Sequence, residues 1–207
     1  MKTIGILGCI LFVPLSLRAQ FAMEEPGFHE HDGFFLSLSF APVNANVDDE
    51  LMGHRYTFTG IGTLLEVRIG GTVAPNLVMS GDLIGMILSK PKVETGGVNS
   101  YNSAFDLTES TFGLGLTYFF MPTNIFVAGT IGLTRYGIAS GGGLSTAATK
   151  PGVNLRFKVG KEWWVSSNWG LGVAASVGIS SVSNAVGSVT EKLSGTVVGL
   201  HFNATLN

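Results

Sequence analysis

From Gly33 onward the chain is organised by a period of two. Eight segments alternate apolar residues with small or polar ones: Gly33–Ala41, Thr63–Gly71, Leu77–Leu88, Thr108–Phe120, Ile125–Tyr136, Gly152–Lys161, Trp169–Ile179 and Thr196–Leu206. Successive side chains of a strand point to opposite faces, so the pattern predicts eight strands with two unlike faces. The fourth segment opposes Phe112, Leu114, Leu116, Tyr118 and Phe120 to Glu109, Thr111, Gly113, Gly115 and Thr117. The seventh sets Trp169, Leu171, Val173, Ala175, Val177 and Ile179 against Gly170, Gly172, Ala174, Ser176 and Gly178. In the eighth, Val198, Leu200, Phe202, Ala204 and Leu206 oppose Val197, Gly199, His201, Asn203 and Thr205. The third is the least regular, because Ile84 and Met86 share a face with Ser80 and Asp82.

The connections alternate as well. Val73–Asn76, Met121–Asn124 and Glu162–Asn168 are short, whereas Pro42–Gly62, Ser89–Leu107, Gly137–Pro151 and Ser180–Gly195 are long and rich in Gly, Ser, Asn or Asp. Short and long joins taken in turn predict an all-β, eight-stranded antiparallel up-and-down barrel, with turns at one end and long loops at the other. No helical pattern and no second domain interrupt it.

Alternation alone does not say which face looks inward. Water-facing strand positions usually carry Lys, Glu, Thr or Gln, but here the less apolar face is dominated by residues too small for an ordinary solvated exterior, such as Gly, Ala and Ser. Such residues suit the narrow bore of an eight-stranded barrel, where side chains have little room. The apolar face is then left to meet lipid, and the fold is expected to be a transmembrane barrel. In hydrocarbon an unpaired peptide group costs several kcal/mol, so the first and last strands are expected to pair and leave no edge. All three tryptophans, Trp163, Trp164 and Trp169, flank one short connection, and Tyr118, Phe119, Phe120 and Phe126 surround another. Aromatic rings favour the boundary between headgroups and acyl chains. Tyr118, Phe120, Phe126, Trp163, Trp164 and Trp169 are accordingly expected to form a membrane-interface girdle.

Composition supports this reading. At 207 residues the chain suits one domain; only 13% of residues are charged and 29 are glycine, too little charge for an ordinary soluble exterior. The opening "MKTIGILGCILFVPLSLRAQ" has a basic Lys2, an apolar run from Ile4 to Leu17 and a small Ala19. It reads as a signal peptide over 1–19, cleaved near 19–22, with a lead-in over 20–32 and the barrel domain over 33–207. The only cysteine, Cys9, lies in the leader, so the mature chain is expected to have no disulfide. Loss of Lys2 and Arg18 from the 12 basic residues leaves 10 against 14 acidic ones, and no basic face invites nucleic acid.

The inward face collects Glu66, Arg68, Asp82, Glu109, Arg156 and Lys158, with His201 and Asn203 beside them in type. Charges in a bore are tolerated only when paired and hydrogen-bonded. Three acids and three bases therefore predict an internal salt-bridge network that plugs the lumen. Other candidates are weaker. "FHEHD", Phe28 to Asp32, offers His29 and His31, but two ligands alone make no metal site, and the segment reads as a solvated lead-in. "VDDEL", Val47 to Leu51, guarantees too few oxygens for calcium and reads as a solvated acidic loop. "SGGGLS", Ser140 to Ser145, lacks the helix and lysine of a phosphate cradle. His201 lies in "VVGLHFNATLN", and no spacing singles out a nucleophile–histidine–acid set. No metal, cofactor or catalytic residue is expected.

From Gly33 to Asn207, strand count, loop alternation and aromatic placement resemble those of the small outer-membrane barrels of the OmpA-transmembrane-domain and OmpX type. "HDGFFLSLSFAP" and "VGKEWWVSSNWGLGVA" are similar to stretches of barrel-like proteins of Gram-negative bacteria. The ending "HFNATLN" departs from the terminal aromatic usual in such barrels. The resemblance implies a Gram-negative outer membrane and periplasmic termini. It also implies contact with outer-membrane lipid, lipopolysaccharide and the barrel-assembly machinery. A non-enzymatic structural or surface-interaction role through long extracellular loops is expected. A lipid-modifying enzyme and a soluble exported barrel holding a small apolar ligand stand as alternatives.

Overall fold

The computed structural model describes residues 31–96, 98–139, 147–186 and 189–207. The signal peptide over 1–19, Cys9, His29 and the segment Ser140–Ser145 lie outside the described residues. Eight antiparallel strands form the wall: β1 (Phe34–Leu51), β2 (His54–Ala74), β3 (Leu77–Ser89), β4 (Asp106–Phe120), β5 (Ile125–Ala139), β6 (Gly152–Trp164), β7 (Trp169–Val186) and β8 (Val189–Leu206). Each pairs with the next, and β1 closes on β8 from Leu36 opposite Leu206 to Leu51 opposite Glu191. Short ladders at Lys92–Thr95, Val98–Asn102 and Ala147–Ala148 extend the β3–β4 and β5–β6 connections. Both described chain ends sit with the short turns, which we call the turn end.

Two expected loops are strand. Segment 42–62 continues β1 and β2 to a two-residue turn at Met52 and Gly53, whose φ values of 52° and 78° suit a tight hairpin turn. Segment 180–195 likewise extends β7 and β8, with Ser180 opposite Gly195 and Asn184 opposite Glu191. Their period of two persists, but its polarity reverses. Along β1 the outer face runs Phe34, Leu38, Phe40, then Pro42, Asn44 and Asn46; the inner face runs Ser37, Ser39, then Ala41, Val43, Ala45 and Val47. In β7 the outer face changes from Val177 and Ile179 to Ser181 and Ser183; in β8 it changes from Val198 to Thr196, Ser194 and Lys192.

The faces of the remaining wall follow the alternation. Leu114 and Leu200 are exposed by 64% and 65%, while Thr111, Arg156 and His201 are buried inside. The outward apolar belt on β7 runs from Trp169 to Ile179. At about 3.3 Å per residue and a tilt near 40°, it spans roughly 25 Å, the height of a lipid-facing band.

The bore is filled in three layers. At the turn end Phe35, Val78, Phe119, Phe126, Ala128 and Ala174 pack together. Next comes a layer of charged and hydroxyl side chains. Beyond it Val43, Val47, Leu64, Ile84, Met86, Leu88, Leu107, Val182, Leu193 and Val197 form an apolar layer with Tyr136. The irregular third segment is thereby explained: Ser80 and Asp82 serve the polar layer, and Ile84 and Met86 the apolar one above it.

Inner glycines set how closely the wall and its contents approach. A Cβ at Gly70 would lie 2.7 Å from Ser80 Cα and closer still to Met79 O, whereas one at Gly85, on the outer face, would meet nothing within 4 Å. Gly70→Ala is therefore expected to lose about 1–3 kcal/mol by overpacking, and Gly85→Ala close to nothing. Urea midpoints of the two variants in detergent check this, and equal midpoints would contradict the close approach.

Candidate functional site: the filled bore and its two ends

The central layer is built from alternate residues of six of the eight strands. Glu66 and Arg68 come from β2, Ser80 and Asp82 from β3, Thr117 from β4, Thr130 from β5, Arg156 and Lys158 from β6, and His201 from β8. Arg68 Nε lies 3.2 Å from Asp82 Oδ1 and 3.5 Å from Glu66 Oε1, and its Nη1 donates to Thr117 Oγ1 at 2.8 Å. Lys158 donates to Glu66 in a direct ion pair. Ser80 and Thr130 hydroxyls each donate to Asp82 at 2.6 Å. Glu109 stands apart from this cluster, taking Asn154 Nδ2 at 2.7 Å and Thr134 Oγ1 at 3.1 Å.

Room for these groups comes from the small residues opposite them. A side chain at Gly115 would collide with Asp82 and Arg68; one at Gly178 would place Cβ 2.8 Å from Arg156 Cζ. Arg156 is 2% exposed, and among the described residues none of its guanidinium nitrogens has a hydrogen-bond partner. The geometry thus pairs Glu66, Arg68, Asp82 and Lys158, and leaves Arg156 and Glu109 outside that ion-paired group.

Several residues stand elsewhere than the period of two and the turn positions predict. Glu162, assigned to a turn, is an inward residue of β6 that accepts Thr205 Oγ1 at 2.7 Å. Phe126 is not a girdle residue: it is 2% exposed, faces the bore and packs on Phe119, with ring centroids 5.7 Å apart. Trp164 is half-buried at the bore end, 5.1 Å from the His31 ring. Tyr118, Phe120, Trp163 and Trp169 do face outward. "VDDEL" is the end of β1, where Thr57 donates to Asp48 at 2.7 Å.

His201 has a partner that spacing did not disclose. Ser176 Oγ lies 2.8 Å from its Nε2, and Glu66 Oε2 lies 3.7 Å from its Nδ1. Hydroxyl, imidazole and carboxylate therefore stand in the order of a hydrolytic relay. All three are buried within the filled bore, however, and Lys158 and Arg68 already engage the carboxylate. No cluster of three or more His, Cys, Asp or Glu suited to a metal occurs among the described residues.

At the turn end His31 is not a solvated lead-in. It stacks on Phe119 with centroids 3.4 Å apart and planes at 12°, and its ring nitrogens lie 2.8 Å from Asn207 Oδ1 and Asn124 Oδ1. A neutral imidazole has one N–H, so one amide must turn its NH2 toward the ring; neither amide nitrogen has another partner among the described residues. The ring ties the segment before β1 to the β4–β5 turn and to the chain end.

Two tests follow. Glu66→Leu strands Lys158 in the bore and is expected to cost about 3–5 kcal/mol, whereas Glu66→Leu/Lys158→Met should recover much of that loss. Denaturant midpoints decide, and additive losses would refute the coupling. For His31, burial lowers the pKa from 6.5 while the two hydrogen bonds pull it upward, with burial the larger effect. The folded state then binds its proton less readily than the unfolded state. The clasp's stabilisation is full above the ordinary value of 6.5 and is lost as pH falls through the folded value. Acidification should shift tryptophan emission through Trp164 in the native chain and much less in His31→Phe; identical titrations would sink this reading.

No family model matches the chain, and no curated protein does. Among solved structures the chain is similar to the outer-membrane protein OprG of Pseudomonas aeruginosa, with 16% identity, 87% of this chain and 98% of that one covered, and a TM-score of 0.54. Looser likenesses are to neisserial surface protein A, at 14% identity over 81% and 95% of the two chains with a TM-score of 0.46, and to the attachment invasion locus protein Ail of Yersinia pestis, at 14% over 83% and 99% with a TM-score of 0.43. The fold is that of the small eight-stranded outer-membrane barrels.

Proposed function

We propose that the chain is a non-enzymatic outer-membrane barrel that anchors a β-rich rim at the surface of a Gram-negative cell. The observation that carries this reading is the reversal of outer-wall polarity, from Phe40 to Pro42, from Ile179 to Ser181 and from Val198 to Thr196. A wall exposing Leu114, Phe157, Leu171 and Leu200 together is unsuited to water, and an apolar patch of that extent calls for lipid. Beyond the reversal, Asn44, Asn46, Ser183 and Lys192 suit an aqueous exterior. The turn end and both mature chain ends then face the periplasm, and the extended hairpins of β1–β2 and β7–β8 stand outside the cell. Tyr118, Phe120, Trp163 and Trp169 meet the periplasmic headgroups.

Within the bore the charged layer and the apolar layer above it act as a plug, leaving a rigid support rather than a pore. Outer-membrane lipid, including lipopolysaccharide, surrounds the belt, and the barrel-assembly machinery inserts it. A surface partner would engage the rim. The Ser176–His201–Glu66 alignment favours a second reading as a lipid-modifying hydrolase, but lipid meets the outer wall while these three face inward.

Envelope fractionation should place the protein in the outer membrane, with a band that shifts on boiling in detergent. Leu114→Arg, at the belt, should cost about 2–4 kcal/mol in bilayers. Ser181→Arg, beyond the belt, should stay within about 0.5 kcal/mol. Planar bilayers should show no conductance, and a fluorophosphonate should not label Ser176. Equal losses at the two arginine sites would overturn the belt; labelling of Ser176 would establish the enzyme instead.

A further inference from the structure

We infer that the rim end of the barrel holds a binding site for a small organic cation, an amine carrying an apolar body. The inference goes beyond the anchoring role, because it assigns a ligand class to a cavity of about 200 Å³ between the strand extensions. A cavity of about 150 Å³ already takes benzene, so this one has room for a ring and a short aminoalkyl arm. Its floor is Leu107, Tyr136 and Leu193, the top of the apolar layer. Phe58 and Phe105 form an aromatic wall, edge to face with centroids 6.1 Å apart. Such a floor and wall receive an apolar body and stop it from descending the bore.

The polar side of the cavity is acidic. Asp49 of β1 and Glu191 of β8 both line it. Glu191 Oε2 accepts Asn184 Nδ2 at 2.8 Å, whereas Asp49 Oδ1 is buried with no hydrogen-bond partner among the described residues. A buried acceptor without a donor is costly, and an ammonium group supplies both the donor and the charge. No lysine or arginine lines the cavity among the described residues. Tyr136 turns its hydroxyl to Ser180 at 2.6 Å, Asp48 takes Thr57, and Glu50 and Lys192 are exposed. Lys150 reaches this region through its backbone N–H, which donates to Asn184 Oδ1 at 3.2 Å. An anionic ligand would add a third negative charge, and a neutral one would offer at most a hydrogen bond with no charge to balance Asp49 and Glu191.

Burial, and then the charge of Glu191, raise the Asp49 carboxyl to about 6. Asp49 lies on the rim extension of β1, past the apolar belt that ends at Phe40. A bound cation favours its ionised form, so binding should strengthen as pH rises through this value and should release protons below it.

The test is isothermal titration of the full mature chain in detergent with phenethylamine, 2-phenylethanol and 3-phenylpropionate, which share an apolar body. The amine should bind saturably at one site, at least about tenfold tighter than the alcohol, with the acid weakest. Moving from about pH 7.5 to about pH 5 should weaken the amine roughly tenfold and leave the alcohol unchanged. Asp49→Asn and Glu191→Gln should each remove most of the preference for the amine while keeping the boiling-dependent gel shift. Equal binding of amine and alcohol, or an amine affinity indifferent to pH, would overturn the inference with the native chain alone. A lost gel shift in the native protein would instead strike at the barrel reading.

Discussion

Hydrogen bonding of the backbone inside an apolar belt is the constraint on which the rest depends. A strand edge facing hydrocarbon would leave a row of unpaired peptide groups, each costing several kcal/mol. The ladder between β1 and β8, from Leu36 opposite Leu206 onward, removes that edge. Closure of eight strands then fixes a narrow bore, and the bore dictates the inner side chains. Glycine, alanine and serine line it because charged side chains from opposite strands must share the same cross-section. Gly115 against Asp82 and Arg68, and Gly178 against Arg156, show the wall giving way to its contents.

The contents are ordered along the axis. Aromatic rings close the turn end, ion pairs occupy the centre, and aliphatic side chains close the rim end. On β1, β7 and β8 the aliphatic layer coincides with the reversal on the outer wall. Along these three strands the inside is mostly small or polar where the outer wall is apolar, and apolar where the outer wall turns polar, as in a soluble barrel. One chain therefore carries both kinds of barrel, end to end. The upper, soluble-type portion creates a cavity above a sealed floor, while the lower portion holds charges that no ligand reaches.

Much of this was legible in the chain. Strand count, closure and the facing of Leu114, Leu171, Leu200, Gly172 and Arg156 follow from period two and from the scarcity of charge. Strand ends were not legible to a reading that expected apolar residues always outside. Val43, Ala45 and Val47 keep the period but invert its sense, so the segment has the outward look of a polar loop. Aromatic residues beside a turn suggest a girdle, but Phe126 and Trp164 share parity with the inward Ala128 and Glu162 and turn toward the bore. His31 was out of reach: its burial depends on Phe119, Asn124 and Asn207, distant in sequence and joined only by closure. The same holds for Ser176, His201 and Glu66, whose meeting requires the register of three strands.

That meeting shows why geometry alone is a poor guide to activity in a bore. A serine, a histidine and a carboxylate at near hydrogen-bonding distances are expected often where hydroxyls and charges are crowded into one narrow layer and each must find partners. Function needs more: a path for substrate and donors aimed at developing charge. In the central layer Glu66 and Asp82 are engaged by Lys158 and Arg68, with buried Arg156 standing outside these pairs, and the filling of the bore favours rigidity over chemistry. The rim cavity has the opposite character, since its aromatic wall lies beside an acceptor left without a donor. Incomplete satisfaction at an accessible place, rather than a familiar constellation at an inaccessible one, is where this fold is prepared to recognise something.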